Sequence, residues 1–439
     1  YNGAANTYSQ WDHIAETGML DTGLGYTMKG SGVGDPVSDV QNYVYVGKPH
    51  NGTITNTISS GNELLVGNPY PSAIDADEFI LDNIPGGNAG TSSSFDGSLY
   101  FWVHYTSNNT HVIWEYEGGY AVRNLTGGLP PVTPPITTDG YEVSGDGSSS
   151  LTPTQYVPVG QGFFVGALTA PGGQVTFEND QRVFRTETNA SESVFARNSN
   201  QNSNSNNTSD KKLVRLNATI NDGASRQLLL GFISNSNASD EFDYGYDAEN
   251  YDTFANDISF NISNKPYVIQ GVGEFNEEAM YPLYITSNAT NAIEISLESL
   301  ENFNEDINIF VYDSLLETYS QINNSSYTIE LEANTYQDRF FITFRQESLS
   351  VDDEILQQVV VSYLNDSNNI FVKVPNNLIV NEIQLFNIVG QKVGTWSELE
   401  SNASNEYRIP VKNIADGNYI IKLKTDLNSS ISKKVLIKD

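Results

Sequence analysis

The chain of 439 residues carries 54 Asp or Glu against 22 Lys or Arg, a net charge of −32, and no cysteine. That charge repels nucleic acid and anionic lipid at ordinary salt, so neither is an expected partner. The lack of cysteine excludes disulfides, thiol nucleophiles and thiolate-held metals, and no apolar run approaches the ~18 residues of a membrane-spanning helix.

At about 150 residues each, the length suits about three domains. Tyr1 stands where a basic start and an apolar run would begin a signal peptide, so the chain is expected to continue a longer precursor. Residues 1–185 read as a β-rich module. Strands are expected at 41–46, 52–58, 63–66, 98–105, 112–116, 155–159, 163–167 and 174–177, with Gly-rich turns about every 10 residues. The exception is "NPYPSAIDADEFILDN" (68–83). There Ser72 is expected to cap a short helix that places Ile74, Phe79 and Ile80 on one face. Four prolines in 127–140 rule out a central strand and predict an exposed loop.

Residues 186–210, nearly all Asn, Ser and other small polar residues, are expected as a linker. A second antiparallel β-sandwich, with a jelly-roll or immunoglobulin-like arrangement, is expected over 211–347. A connection over 348–358 leads to a small β-domain at 359–439. The fold class is therefore all-β, as tandem antiparallel sandwiches. Charge follows this division. Nine Lys or Arg and eight Asp or Glu lie from Ile355 onward, leaving thirteen and forty-six before it.

The terminal domain alternates apolar and polar residues between breaks at Gly390 and at Asp416-Gly417. Its blocks "LFNIVGQKV" (385–393), "GNYIIKL" (417–423) and "KKVLIK" (433–438) carry a family likeness in their order, spacing and place at the chain's end. Together they resemble the type A C-terminal sorting domain of the bacterial type IX secretion system. The Tyr-Pro-Asn-Pro segment that opens many members is here "SYLNDSNN" (362–369), a departure confined to the first strand. On this resemblance the sorting motif falls on Leu385, Phe386, Asn387, Gly390, Gln391, Gly417, Tyr419, Lys433, Lys434 and Lys438. The resemblance implies a seven-stranded β-sandwich and a Gram-negative host of the Bacteroidetes type. It further implies export to the outer-membrane surface by the type IX translocon and a β-barrel shuttle protein. A sortase then removes the domain and attaches the cargo to surface lipopolysaccharide. Ahead of it, "GYTMKGSG" (25–32), "VGNPYPSAIDADEFI" (66–80), "LYFW" (99–102), "YEGGYAVRN" (116–124) and "VPVGQGFFV" (157–165) resemble a module found upstream of such domains in flavobacterial surface proteins. That module brings no chemistry to transfer.

Candidate binding residues are fewer. Trp102, Trp114, Tyr116 and Tyr120 lie close in sequence, and exposed aromatic rings beside Asn and Asp are how sugar-binding sandwiches hold pyranose faces; core filling is the alternative. The acidic run 239–259 offers Asp243, Asp247 and Asp252 as oxygen ligands for calcium, although its spacing departs from an EF-hand loop. A solvated acidic loop is the competing account. His104 and His111 bracket an expected hairpin with no third ligand in reach of the pattern. There is no Gly-x-Ser-x-Gly elbow, His-Glu-x-x-His, phosphate loop or dinucleotide fingerprint. The chain thus reads as a non-catalytic surface protein, adhesive or structural or glycan-binding. The competing reading is the C-terminal accessory region of a secreted polysaccharide hydrolase or protease.

Overall fold

The structure is a computed structural model. It describes residues 2–3, 11–14, 18–28, 44, 46–88, 95–105, 118–134, 147–168, 172–186, 211–221, 223–303, 306–345, 358–375, 378–388, 390–397, 399, 405–411, 414–425 and 430–438. The expected strand at 112–116, most of that at 41–46, the linker beyond residue 186 and the connection at 348–357 lie outside these residues. The fold is all-β, with many antiparallel sheets and one α-helix among the described residues. Two compact units form: Tyr1–Asn276 with Ser296–Asp306, and Glu277–Ile295 with Ile307–Asp439. The division falls within the stretch 211–347 that the sequence reading takes as one domain.

In the first unit the central sheet runs Asn2–Gly3, Glu63–Gly67, Gly162–Ala167, Phe95–His104, Gly118–Arg123, Gly128–Leu129. Alternation along its strands sends Leu99, Phe101, Val103, Phe163 and Val165 into one core, where they meet Phe79 and Ile80 of the helix and Val175 and Phe177 of the strand Gly173–Phe177. Phe79 is the hub, 4.9 Å from Phe177, 5.5 Å from Phe163 and 6.0 Å from Phe95 between ring centroids.

The helix is Ala76–Asn83, and its cap corrects the expectation. Asp75, not Ser72, accepts from the Asp77 N–H at 3.0 Å. Residues Ala73–Asp75 are instead a short strand, with Ile74 paired to Arg182 and to Val157, so the helix can start only after it. Asn83 closes the other end. It donates to the carbonyls of Phe79 and Thr176 and accepts from the Thr176 N–H at 2.7 Å.

The same unit contains Lys212–Ile220, Ser225–Phe232, Lys265–Val272 and Asp257–Ile262, hydrogen-bonded in that order. One pairing departs from the antiparallel expectation. Ser225–Phe232 runs parallel to Lys265–Val272, with Leu229 opposite Ile269. These strands are joined to the first sheet by local bonds: Thr133 bridges Ser225, Gly245 N donates to the Asp96 carbonyl, and Leu125 N donates to the Gly245 carbonyl, each at 2.8 Å.

The second unit holds Met280–Ser287, Phe310–Asp313, Thr318–Gln321, Tyr327–Leu331, Asn334–Tyr336 and Phe340–Thr343. It ends in two sheets, one of three strands (Val360–Leu364, Asn369–Lys373, Glu406–Pro410) and one of four (Lys392–Ser397, Val380–Asn387, Gly417–Thr425, Ser430–Ile437). Ile370, Val372 and Ile409 from the first meet Ile383, Leu385, Ile421 and Val435 from the second in one core. This is the expected seven-stranded sandwich.

Candidate functional site

The core-facing residues of Phe95–His104 leave Tyr100 and Trp102 on the opposite face of the sheet. Register then assembles a group there: Trp102 stands opposite Tyr120, and Tyr100 opposite both Val122 and Phe164. Tyr120 lies 5.1 Å from Trp102, 5.8 Å from Phe164 and 4.9 Å from Tyr251, and Tyr251 lies 4.7 Å from Tyr100. Trp11 continues the row 6.2 Å beyond Phe164. The two tryptophans are the most open members, each 36 % exposed. Of the four expected aromatic residues the structure brings together Trp102 and Tyr120; Trp114 and Tyr116, like His111, lie outside the described residues.

Beside the row is a shallow groove lined by Tyr100, Tyr120, Tyr251, Asn250, Asp252 and Arg226, among others. Its polar groups are held firmly. Arg226 grips Asp257 through Nε and Nη2, both at 2.7 Å, and its Nη2 also donates to the Asp252 carbonyl at 2.6 Å. Asp252 accepts from the Tyr120 N–H at 3.3 Å, and burial raises its pKa. Glu63 bonds to the Tyr251 hydroxyl, and burial, partly offset by that bond, raises its pKa as well. Burial likewise pushes the Tyr251 hydroxyl far up, with the Glu63 charge adding to it.

In the acidic run the three candidate calcium ligands bond to different groups. Asp243 takes the N–H and hydroxyl of Ser239 on one carboxylate oxygen, at 2.5 and 2.7 Å. Asp247, 1 % exposed, accepts from Asp243 N at 2.6 Å and from Gly271 N at 2.9 Å. Asp252 faces Tyr120 instead. These carboxylates are used to pin backbone N–H groups, and no group of three potential ligands that could hold a metal occurs among the described residues. Nor is the run simply a solvated loop. Tyr246 packs on the core of the first sheet, Thr126 Oγ1 donates to its carbonyl at 2.6 Å, and Tyr251 completes the aromatic row.

In the terminal sandwich, Leu385 is fully buried, whereas Asn387, Gly390 and Gln391 build a hairpin turn. Gly390 N donates to the Asn387 carbonyl at 3.0 Å with φ +85°, a conformation that suits glycine, and Gln391 N donates to Asn387 Oδ1 at 2.8 Å. Phe386 is half-buried opposite Ile420. Gly417 pairs with Ile437, and the Tyr419 hydroxyl donates to the Ala415 carbonyl at 2.8 Å. Lys433 and Lys434 sit on the final strand, at the sheet edge, and exposed Lys438 follows it.

Sequence reasoning missed Tyr100, Phe164, Tyr251 and Trp11. Tyr100 was within reach of it, two residues from Trp102 on the same strand face. Tyr251 was not, since it arrives from a segment 149 positions after Trp102 that shows no alternation.

The family described as a domain of unknown function, DUF8693, matches residues 1–344, and the secretion system C-terminal sorting domain matches residues 365–438. No curated protein matches the chain. The tail is a type IX sorting domain on a Bacteroidetes-type protein, which sends the chain to the secretion machinery for export and display at the cell surface. No helix among the described residues is long and apolar enough to cross a membrane. The chain therefore belongs to the DUF8693 family, a passenger of unassigned role delivered by a type IX sorting tail.

Proposed function

We propose that the DUF8693 passenger is a non-catalytic, adhesive module that binds glycans at the cell surface. The observation that carries this reading is the aromatic row of the first sheet, in which Trp102 is 36 % exposed and Tyr100 and Phe164 are buried, with a polar groove beside Tyr120 and Tyr251. Aromatic faces stack on the C–H faces of sugars, and fixed polar groups at their edge orient the hydroxyls. Export by the sorting tail is consistent with a module that works on polymers outside the cell. In this reading a β-barrel shuttle delivers the chain, a sortase removes the tail, and lipopolysaccharide anchors the passenger.

Affinity electrophoresis of the full chain through gels containing single polysaccharides tests the proposal. At least one polysaccharide should retard the protein, and Trp102→Ala, shown by its cooperative melting to remain folded, should reduce that retardation by about tenfold or more in affinity. Undiminished binding by the variant would remove the aromatic row from the account. Release of reducing ends by the chain would contradict its non-catalytic character.

A further inference from the structure

Within the second unit, one hairpin of the passenger lies against the sorting domain. Its strands are Phe310–Asp313 and Thr318–Gln321, and it turns over residues 314–317, all four of them half-buried. The turn is held from within. Asp313 Oδ1 accepts from Leu315 N at 3.0 Å and from Leu316 N at 3.3 Å, and Ser314 N donates to the Arg339 carbonyl at 2.8 Å. Glu317 closes the turn with φ +56°, a left-handed conformation that glycine or asparagine adopts with less strain. Turn chemistry therefore does not call for glutamate there, but the reach of its side chain does. Glu317 accepts from the Lys422 ammonium, and the Ser430 hydroxyl donates to its two carboxylate oxygens at 2.7 and 2.9 Å.

The sheet that receives this carboxylate is covered on the side facing away from its own core. Tyr419, Ile421 and Leu423 point into the terminal core, so Ile420 and Lys422 point to the opposite face. Such a face is ordinarily wet. Yet Ile420 is only 4 % exposed, and the hydroxyl oxygen of Ser432, which stands opposite Lys422, is buried. Phe386 of the sorting motif stands opposite Ile420 and is half-buried. Arg339 adds a second anchor, donating from Nη1 to the Ile388 carbonyl at 3.1 Å. Among the described residues no β-ladder joins the terminal sheets to those of the passenger, so side chains make the tie.

We propose that the turn 314–317 is a docking site for the outer face of the sorting sheet, and that it retains the sorting domain after the chain between the two is cut. A cut in the connection 348–358 then leaves a bound tail, and departure of the tail is a separate step. The test uses the full chain with the recognition sequence of a site-specific protease inserted between Val351 and Asp352. The cut chain is passed over a size-exclusion column at about 50 μM, where even a micromolar Kd keeps two halves together, and a dilution series gives the Kd. The two halves should co-elute. Glu317→Gly removes the carboxylate while relieving the backbone of the turn, so the hairpin survives it, and the complex should weaken by about tenfold or more. Lys422→Glu, which sets two carboxylates against each other, should weaken it at least as much from the tail side. Both variants should still melt cooperatively before the cut. Separate elution of the wild-type halves would overturn the proposal. Co-elution undiminished in both variants would show that the halves are held elsewhere, and would overturn the assignment to this turn.

Discussion

Gly97 and Gly245 meet backbone to backbone: a Cβ added to Gly97 would stand 2.4 Å from the Gly245 Cα. Both residues have positive φ, +95° and +81°, so a side chain at either is strained by its own backbone as well as by its neighbour. The contact lets Gly245 N reach the Asp96 carbonyl and draws the acidic run onto the first sheet, which is how Tyr251 comes to lie on Tyr100. Gly97→Ala is expected to cost about 2–3 kcal/mol in urea denaturation. Gly47→Ala, with open space around its Cβ and no positive φ, should stay within about 0.5 kcal/mol. Equal effects would show that the close approach does not matter to stability.

Acidity should change stability in a direction opposite to simple acid denaturation. Burial pushes the Asp96 carboxyl up to about 7 and that of Asp247 up to about 8, from an ordinary 3.8. The folded chain then holds protons that the unfolded chain has released above about pH 4. Their contribution is complete below that pH and is lost as pH rises through 7 and 8. From these carboxyls unfolding free energy should fall between about pH 5 and about pH 8, and Asp247→Asn should flatten part of that slope. A free energy that stays flat or rises over this interval would contradict the upward shift of both carboxyls.

Asp313 is fully buried in the second unit and depends on Arg339, whose Nε and Nη2 reach its two oxygens at 3.0 and 2.8 Å. The third guanidinium nitrogen donates to the Ile388 carbonyl at 3.1 Å, next to the turn of the sorting motif. Glu317 makes a parallel tie, accepting from Lys422 and from the Ser430 hydroxyl. Arg339→Ala strands a buried carboxylate and should cost about 3–5 kcal/mol. Arg339→Lys should recover less than half of that, because an ammonium cannot reproduce the two-point grip. Full recovery by lysine would mean that charge alone, not the fork, is what Asp313 requires.

The terminal sandwich has a core of its own, so its role can be separated from the passenger. A reporter fused between a signal peptide and residues 348–439 should reach the cell surface in a type IX-competent host. Leu385→Asp, which places an unpaired charge at a fully buried site, should leave the reporter in the periplasm. Surface display of that variant would mean that the folded sandwich is not what the machinery reads.

How much of this was legible depended on alternation. The terminal sandwich was readable because its strands keep one face polar and because Gly390 and Gly417 mark its turns and strand starts. Asp257–Ile262 was not, since all six of its residues are buried and no two-residue period remains to be seen. The acidic run hid its role for a different reason. Asp247 and Asp257 are buried because remote partners, Gly271 N and Arg226, receive their charge, and composition cannot show which carboxylates find such partners. The same holds for the helix start. Ser72 and Asp75 are both good caps, and the choice was made by the pairing of Ile74 with Arg182 and Val157. Of the candidate site, Trp102 and Tyr120 could be seen from local spacing, whereas Tyr251 and Asn250 required the tertiary fold.

The most direct test of the account is hydroxyl-radical footprinting of the full chain, read by mass spectrometry, with and without a polysaccharide that retards it. Trp102, Tyr120 and Tyr251 should be protected together when the polysaccharide is present, with Trp396 of the terminal sandwich unchanged. Protection confined to residues outside the aromatic row, with Trp102 as reactive as before, would contradict it.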